Sequence, residues 1–188
     1  RFVQLLAKFG IKITDTNIDD IGDDFYEEFK KFNPAWIEEP LRWEDDRRTL
    51  KLLSKQTNIP ISGGESEITI YGCRSMIEED AIQILQFDCT MFGGFTNGKK
   101  LSALCELNHI DIAPHHDCYI HAPLVASTPS GRIVESFDNE RDPLQAELFE
   151  NPHEMNNGWI HLNEKPGLGL EISDTALKKF GKLVYKNK

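Results

Sequence analysis

Residues 35–40 read AWIEEP, and this stretch decides the fold prediction because a short apolar run meets two adjacent carboxylates. The β-branched Ile37 favours a strand, and Pro40, which has no backbone N–H to donate, ends it. Successive side chains of a strand point to opposite faces, so Glu38 and Glu39 cannot both face the same way. The stretch therefore predicts a buried strand that carries one acidic side chain at its carboxyl end.

The same alternation runs along the whole chain, with short apolar runs followed by longer segments of helical periodicity. The predicted strands are 11–14, 36–38, 59–61, 82–87, 110–113 and 132–134, and the predicted helices are 21–32, 45–56, 69–79, 93–108 and 120–127. Strands that alternate with helices in this way indicate βαβ units and a parallel sheet covered on both faces.

An ionisable residue stands at the end of each predicted strand, and the spacings are 23, 27, 23, 27 and 20 residues. In a barrel the carboxyl ends of all strands converge on one face, whereas a doubly wound sheet spreads them along a line. We therefore predict an α/β fold of the TIM-type (β/α) barrel, incomplete because only about six of the βα units are visible. The six residues are Asp15, Glu38, Glu65, Asp88, His115 and Glu135.

The chain divides into two predicted parts. Residues 1–137 form the partial barrel that carries the ionisable strand ends, and residues 138–188 form a C-terminal segment that packs on it. In that segment Asn156-Asn157-Gly158 predicts a turn, 159–162 a short extended run, and Ser173 the start of a final helix.

Composition excludes several partners. The formal net charge is −10, so we expect neither nucleic acid nor an anionic membrane surface to bind. No apolar run is long enough to span a bilayer. The four cysteines form no CxxC pair, and we expect buried free thiols in a cytoplasmic protein.

Three of the strand ends predict a metal site. The carboxylates of Asp15, Glu38 and Glu65 would repel one another and raise each other's pKa if they converged without a cation. A hard divalent cation with oxygen ligands removes that repulsion, and Mg²⁺ suits an all-carboxylate set.

The next two strand ends predict acid–base chemistry. Asp88 beside His115 would fix the tautomer of the imidazole and raise its basicity. His116 and His121 lie close by in the sequence, and spacing alone leaves open which histidine pairs with Asp88. A protonated Glu135 would hydrogen-bond an oxygen of a bound intermediate.

Six motifs, in this order and at matching spacings, resemble the enolase superfamily and most closely its mandelate racemase subgroup. The resemblance extends from Asp15 to the Pro166–Gly169 segment. The motifs are Asp15-Thr16-Asn17, Trp36-Ile37-Glu38-Glu39-Pro40, Gly63-Gly64-Glu65, Asp88 with Phe92-Gly93-Gly94, His115, and Glu135.

The resemblance implies a modified (β/α)7β barrel with a separate capping domain, to which the segment after residue 137 contributes. It implies one Mg²⁺ held by the three carboxylates, an Asp88–His115 acid–base dyad, and Glu135 as the group that stabilises an enediolate. The family's lysine motif is expected upstream of Asp15, so we expect the first units and the cap to be cleaved, disordered or on another chain. We expect this chain alone to be inactive and the whole enzyme to be a homo-oligomer.

The reaction predicted from the resemblance is proton abstraction α to a carboxylate. The polar side chains that follow the fifth predicted strand, around His115, favour a hydroxylated substrate. We therefore predict an acid-sugar dehydratase, a lyase that yields a 2-keto-3-deoxy acid. A racemase or epimerase of a 2-hydroxy acid and a non-catalytic barrel that binds Mg²⁺ and a carboxylate are the alternatives. The candidate substrate-binding residues are Asn17, His116, Tyr119 and His121.

Overall fold

The computed structural model describes residues 29–41 and 46–184. Four strands in this part form one parallel sheet, and each strand pairs with the next one in chain order. The strands are β1 (Ile37–Glu38), β2 (Ile61–Gly63), β3 (Ile84–Leu85) and β4 (Asp111–Ile112).

Helices connect the strands, as the alternating pattern predicts. They are α1 (Asp46–Gln56), α2 (Ile70–Glu78) and α3 (Gly94–Leu107), and α4 (Cys118–Ala126) follows β4. The sheet is buried on both sides, since Ile61 and Leu85 are fully covered and Leu50 of α1 is 1% exposed. The predicted α/β fold with a parallel sheet is confirmed, and the incompleteness of a barrel stays a prediction.

Local signals in the sequence set where two of these helices begin. The Thr69 hydroxyl accepts a hydrogen bond from the Gly72 N–H at 3.2 Å and caps α2. At the start of α3, Gly93 and Gly94 adopt φ values of 105° and 70°, which side-chain-bearing residues rarely adopt. The turn after β3 can therefore lead directly into the helix.

The sixth predicted strand, 132–134, is wrong as a strand. The structure shows one isolated bridge beside this stretch, between Gly131 and Ile112 of β4, and the Arg132 N–H donates to the Ile112 carbonyl at 3.0 Å. Residues 132–134 therefore follow the bridge without being assigned to a strand. The predicted strand at 11–14 lies outside the described residues, and of the predicted helix at 21–32 only residues 29 and 30 are described as helical.

The C-terminal segment contains two short helices and a hairpin. Helix α5 (Pro143–Glu147) was not predicted, because Asp142-Pro143 has the sequence of a turn as well as of a capped helix start. Strands β5 (Glu154–Asn156) and β6 (Trp159–His161) pair antiparallel around Asn157 and Gly158, whose φ values are 50° and 78°. The last helix, α6 (Asp174–Phe180), begins after Ser173, whose hydroxyl accepts from the Ala176 N–H, as predicted.

All four cysteines are free and buried. Burial raises the pKa of Cys73, Cys89 and Cys105 to about 12, so these thiols stay protonated at neutral pH. In the part of the chain that the structure covers, no helix is both long and apolar enough to cross a bilayer.

Candidate functional site

The register of the sheet brings the predicted strand-end residues to one edge. Gly63 pairs with Leu85, and Leu85 pairs with Ile112, so three neighbouring strands are level at these residues. Asp88 lies three residues after Leu85, and His115 lies three residues after Ile112. Because the strands are parallel, both side chains leave the sheet at the same end.

Asp88 and His115 lie within hydrogen-bond distance of each other, and the acid–base role of this dyad stays a prediction. The His115 Nδ1 lies 3.3 Å from the Asp88 Oδ2, and Nδ1–H is the donor because a carboxylate can only accept. The other carboxylate oxygen of Asp88, Oδ1, accepts from the backbone N–H of Thr90 at 2.8 Å and from its hydroxyl at 2.7 Å. Asp88 is only 4% exposed, and hydrogen bonds to both of its carboxylate oxygens hold the side chain in place.

The dyad shifts the titration of both members. The hydrogen bond to Asp88 raises the pKa of His115, burial opposes that shift, and the carboxylates of Glu65 and Glu135 add to it. Burial alone would raise the pKa of Asp88, but hydrogen bonds from His115 and Thr90 outweigh it and hold that pKa below its usual value. Asp88 is therefore a charged carboxylate that favours a proton on the neighbouring ring.

The outer nitrogen of His115 faces two further carboxylates. Nε2 lies 3.8 Å from the Glu65 Oε1 and 4.0 Å from the Glu135 Oε2. Since Nδ1 carries the proton shared with Asp88, a neutral ring presents its lone pair at Nε2. This nitrogen can accept a proton from a group bound between the two glutamates and return it.

Glu38 lies at the end of β1, and sequence reasoning missed the residue that holds it. Gln86 is 3% exposed, and its Nε2 donates to the Glu38 Oε2 at 2.9 Å. The Oε1 of Gln86 is buried and has no hydrogen-bond partner. Alternation along β3 could have identified Gln86, because it lies two residues before Asp88 and so on the same face of the extended chain.

The residues at this edge fit an oxygen-coordinated cation as far as they are described. Glu38 and Glu65 offer carboxylate oxygens, which Mg²⁺ prefers. The third predicted ligand, Asp15, and the predicted substrate-binding residue Asn17 lie outside the described residues. Within 29–41 and 46–184, no three His, Cys, Asp or Glu side chains are grouped closely enough to hold a metal ion.

His116 lies beside the dyad but has partners of its own. Its ring Nε2 donates to the Asp142 Oδ2, and its backbone N–H donates to the Glu135 Oε2 at 2.9 Å. The ring also packs against Phe137, with the centroids 5.0 Å apart. His116 thus orients Glu135 and connects the site to the segment before α5, and its contact with substrate stays a prediction.

The other two candidate substrate-binding residues are His121 and Tyr119, and only His121 is buried. The structure does not support a substrate contact for His121, because it is fully buried and both ring nitrogens are bonded to backbone atoms. Burial also lowers the pKa of His121. Tyr119 packs edge-on against Phe149 and His153 of the C-terminal segment, and its role in binding remains a prediction.

Known proteins match both the sequence and the fold. Residues 24–176 match a family described as enolase C-terminal domain-like. The chain is 31% identical over 152 residues to a D-galactonate dehydratase family member from Oceanicola granulosus, a match that covers 77% of this chain and 37% of that protein.

Two solved structures share the fold. A mandelate racemase/muconate lactonizing enzyme from a marine actinobacterium, in complex with magnesium, matches with a TM-score of 0.77 and 29% identity over 83% of this chain and 44% of that one. L-talarate dehydratase from a Polaromonas species, complexed with Mg and L-glucarate, matches with a TM-score of 0.74 and 28% identity over 82% of this chain and 41% of that one. The chain thus spans less than half the length of each of these relatives.

Proposed function

Because the chain belongs to the enolase C-terminal domain-like family, we propose that the whole protein removes the proton α to a carboxylate and eliminates water from an acid sugar. The product is a 2-keto-3-deoxy acid. The observation that carries this proposal is the His115 ring, which is anchored at Nδ1 by Asp88 and directs Nε2 toward Glu65 and Glu135. The relatives that are named as dehydratases of sugar acids support the substrate class.

One group that first accepts and then donates a proton can balance the elimination. The α C–H bond breaks and its proton passes to Nε2 of His115. The bond between the β-carbon and its hydroxyl then breaks, the oxygen keeps the electron pair, and the proton from Nε2 completes the departing water. The enol that remains becomes the ketone. The raised pKa of His115 suits this cycle, because the ring must hold a proton between the two steps.

The two glutamates beside His115 have separate roles in this proposal. Glu135 holds a position from which it can hydrogen-bond a substrate oxygen, since the His116 N–H fixes its Oε2. Glu65, with Glu38 and Asp15, would hold Mg²⁺. When bound there, the cation supplies positive charge for the negative charge that develops on the substrate carboxylate. Gln86 keeps Glu38 in place for that purpose.

The test is product analysis with the full-length protein and Mg²⁺. Hexonates, pentonates and aldarates, among them D-galactonate, D-xylonate and L-glucarate, are incubated and assayed for a 2-keto-3-deoxy acid by colour reaction and NMR. The proposal fails if no member of the panel yields that product. Deuterium exchange at the α-carbon without elimination would identify a racemase or epimerase instead.

Metal binding is tested separately, so that it does not depend on finding the substrate. Glu38→Gln and Glu65→Gln should each weaken the binding of Mg²⁺, or of Mn²⁺ as a paramagnetic substitute, in calorimetric titration. Glu78→Gln is the matched control, because Glu78 lies exposed on α2 and pairs only with Arg74 among the contacts described. Equal affinities in all three variants would exclude this pair of glutamates as ligands.

A further inference from the structure

His121 connects the two loops that carry the dyad. It lies on α4 and is fully buried. Its Nε2 accepts a hydrogen bond from the backbone N–H of Cys89 at 3.0 Å, and its Nδ1 lies 2.9 Å from the carbonyl oxygen of His116. A backbone N–H can only donate and a carbonyl can only accept, so the ring is neutral and carries its proton on Nδ1.

The two backbone partners of His121 have equivalent places in the chain. Cys89 directly follows Asp88, and His116 directly follows His115. The imidazole of His121 is therefore hydrogen-bonded to the backbone of the residue that follows each member of the dyad. The ladder between β3 and β4 ends just before this point, with the His115 N–H donating to the Phe87 carbonyl at 3.1 Å.

We propose that His121 is a positioning residue that sets the separation of Asp88 from His115 by holding the backbone that follows each of them. This inference rests on the proposed function, in which these two residues form the acid–base pair. Past the ladder, His116 and Asp117 adopt φ values of 50° and 42° and turn the chain toward α4. The hydrogen bond from Nδ1 to the His116 carbonyl keeps this turn in register with the Asp88 loop.

Helix α3 closes the space behind this connection. A Cβ atom built on Gly98 of α3 would lie 2.5 Å from the Cys89 Sγ and 2.8 Å from the Leu124 Cδ2. Leu124 follows His121 by three residues and so lies on the same face of α4. Helix α3 therefore packs closely against the side chain of Cys89, and this leaves the loop that His121 holds little room to move.

Three substitutions of His121 in the full-length protein separate its two hydrogen bonds. The side-chain amide of Asn reaches the place of Nδ1 and keeps the bond to His116, whereas that of Gln reaches the place of Nε2 and keeps the bond to Cys89. Phe keeps a ring of similar size and loses both bonds. His161→Phe is the control, because His161 is exposed on β6.

The main readout is the NMR signal of the His115 Nδ1 proton, which reports the hydrogen bond to Asp88 and which a general loss of stability would not shift. We expect His121→Phe to move this signal upfield, and His121→Asn and His121→Gln to move it less. For the acid sugar that the wild-type protein converts, kcat should fall about 100-fold in His121→Phe and about tenfold in the other two variants, with KM little changed. The control should match the wild type in both measurements.

Two results would overturn the inference. One is a His115 proton signal and a kcat in the His121 variants that match those of His161→Phe. The other needs no substitution: ¹⁵N NMR of the wild-type protein would show His121 protonated on Nε2 or on both nitrogens. If His121→Phe does not fold, the Asn and Gln variants and the wild-type tautomer decide. If no acid sugar is converted, the proposed function fails while the NMR signals still test the positioning role.

Discussion

Asp88→Asn should remove the proton-carrying ability of His115 while it leaves the fold intact. Asn has the shape of Asp, and its one oxygen is needed where the Thr90 N–H and hydroxyl both donate, at the Oδ1 position. The amide NH₂ group must then face the Nδ1 of His115, which becomes the acceptor. The proton of the ring moves to Nε2, the atom that should take the proton from substrate.

The size of the effect follows from this change of tautomer. General acid–base catalysis contributes about 10²–10⁴-fold to a rate, which corresponds to about 3–5 kcal/mol of barrier. We expect kcat to fall within that range and KM to change little, because Asp88 is 4% exposed and is covered by its own partners. The unfolding free energy should fall by about 1 kcal/mol, because neutral hydrogen bonds replace the charge-assisted ones that Asp88 makes.

The assay is steady-state turnover of the converted acid sugar, with urea unfolding in parallel. Asp111→Asn is the matched control. Asp111 is the first residue of β4 and is half-buried, and its ion pair with Arg132 at 2.6 Å is a surface contact worth about 0–1 kcal/mol. If Asp88→Asn keeps the kcat of Asp111→Asn, the assignment of the dyad is refuted. If Asp88→Asn loses activity only in proportion to unfolded protein, Asp88 is structural.

Two further substitutions test the packing and the titration around the site. Gly98→Ala should destabilise the fold by about 1–3 kcal/mol, because the added carbon would meet the Cys89 Sγ at 2.5 Å. Gly72→Ala is its control and should be neutral or stabilise by up to about 1 kcal/mol, since the added carbon meets the movable end of Glu67; urea unfolding of both variants measures the difference. Burial lowers the pKa of His121, so the unfolded chain takes up the proton first as the pH falls below about 6.5. The wild-type protein should therefore lose stability between that pH and the lower folded pKa. His121→Gln should show a smaller decline when unfolding is measured from pH 7.5 to 5, because His153, whose pKa burial also lowers, contributes in both proteins; equal slopes in both proteins would contradict the burial of a neutral ring.

The order of strands and helices could be predicted because each unit repeats the same local signals. The strands themselves are shorter than their apolar runs: 82–87 predicts a strand, and the ladder of β3 covers only Ile84–Leu85. Apolar residues mark what is buried, and Ile82 and Phe87 are buried although both lie outside β3. The ends of strands are therefore less well predicted than their existence, although Asp88 lies where the end of the apolar run places it.

The choice among the three histidines could not be made from the sequence. His115, His116 and His121 lie within seven residues, and spacing leaves each as a partner for Asp88. The directions of their rings depend on the left-handed backbone of His116 and Asp117, a conformation usual for glycine that costs about 1–3 kcal/mol for other residues. The local sequence does not indicate this left-handed backbone, so the structure was needed to pair His115 with Asp88 and to place His121 in the interior.

The site is held by backbone amides that directly follow the proposed functional side chains. A side chain that points into a cleft has few protein partners there to hold it. The backbone N–H of the next residue can instead hold it in place through a hydrogen bond to the protein interior. Each of these amides uses a different acceptor: a carbonyl of the adjacent strand, a buried imidazole and a carboxylate. The pairs are Glu39 N–H to the Ser62 carbonyl at 3.0 Å, Cys89 N–H to the His121 Nε2 at 3.0 Å, and His116 N–H to the Glu135 Oε2 at 2.9 Å.

Only the first of these acceptors belongs to the regular ladder, and the other two lie where the ladder has ended. Loss of a side-chain acceptor leaves a backbone N–H without its partner, whereas a ladder bond persists through any change of side chain. Substitutions at His121 and Glu135 should therefore disturb the backbone beside the dyad as well as removing their own groups. Ser62→Ala, which keeps its carbonyl, should leave Glu38 in place. This difference separates the proposed metal ligand Glu38, which the ladder holds, from the proposed acid–base pair, whose geometry depends on the side chains of His121 and Glu135.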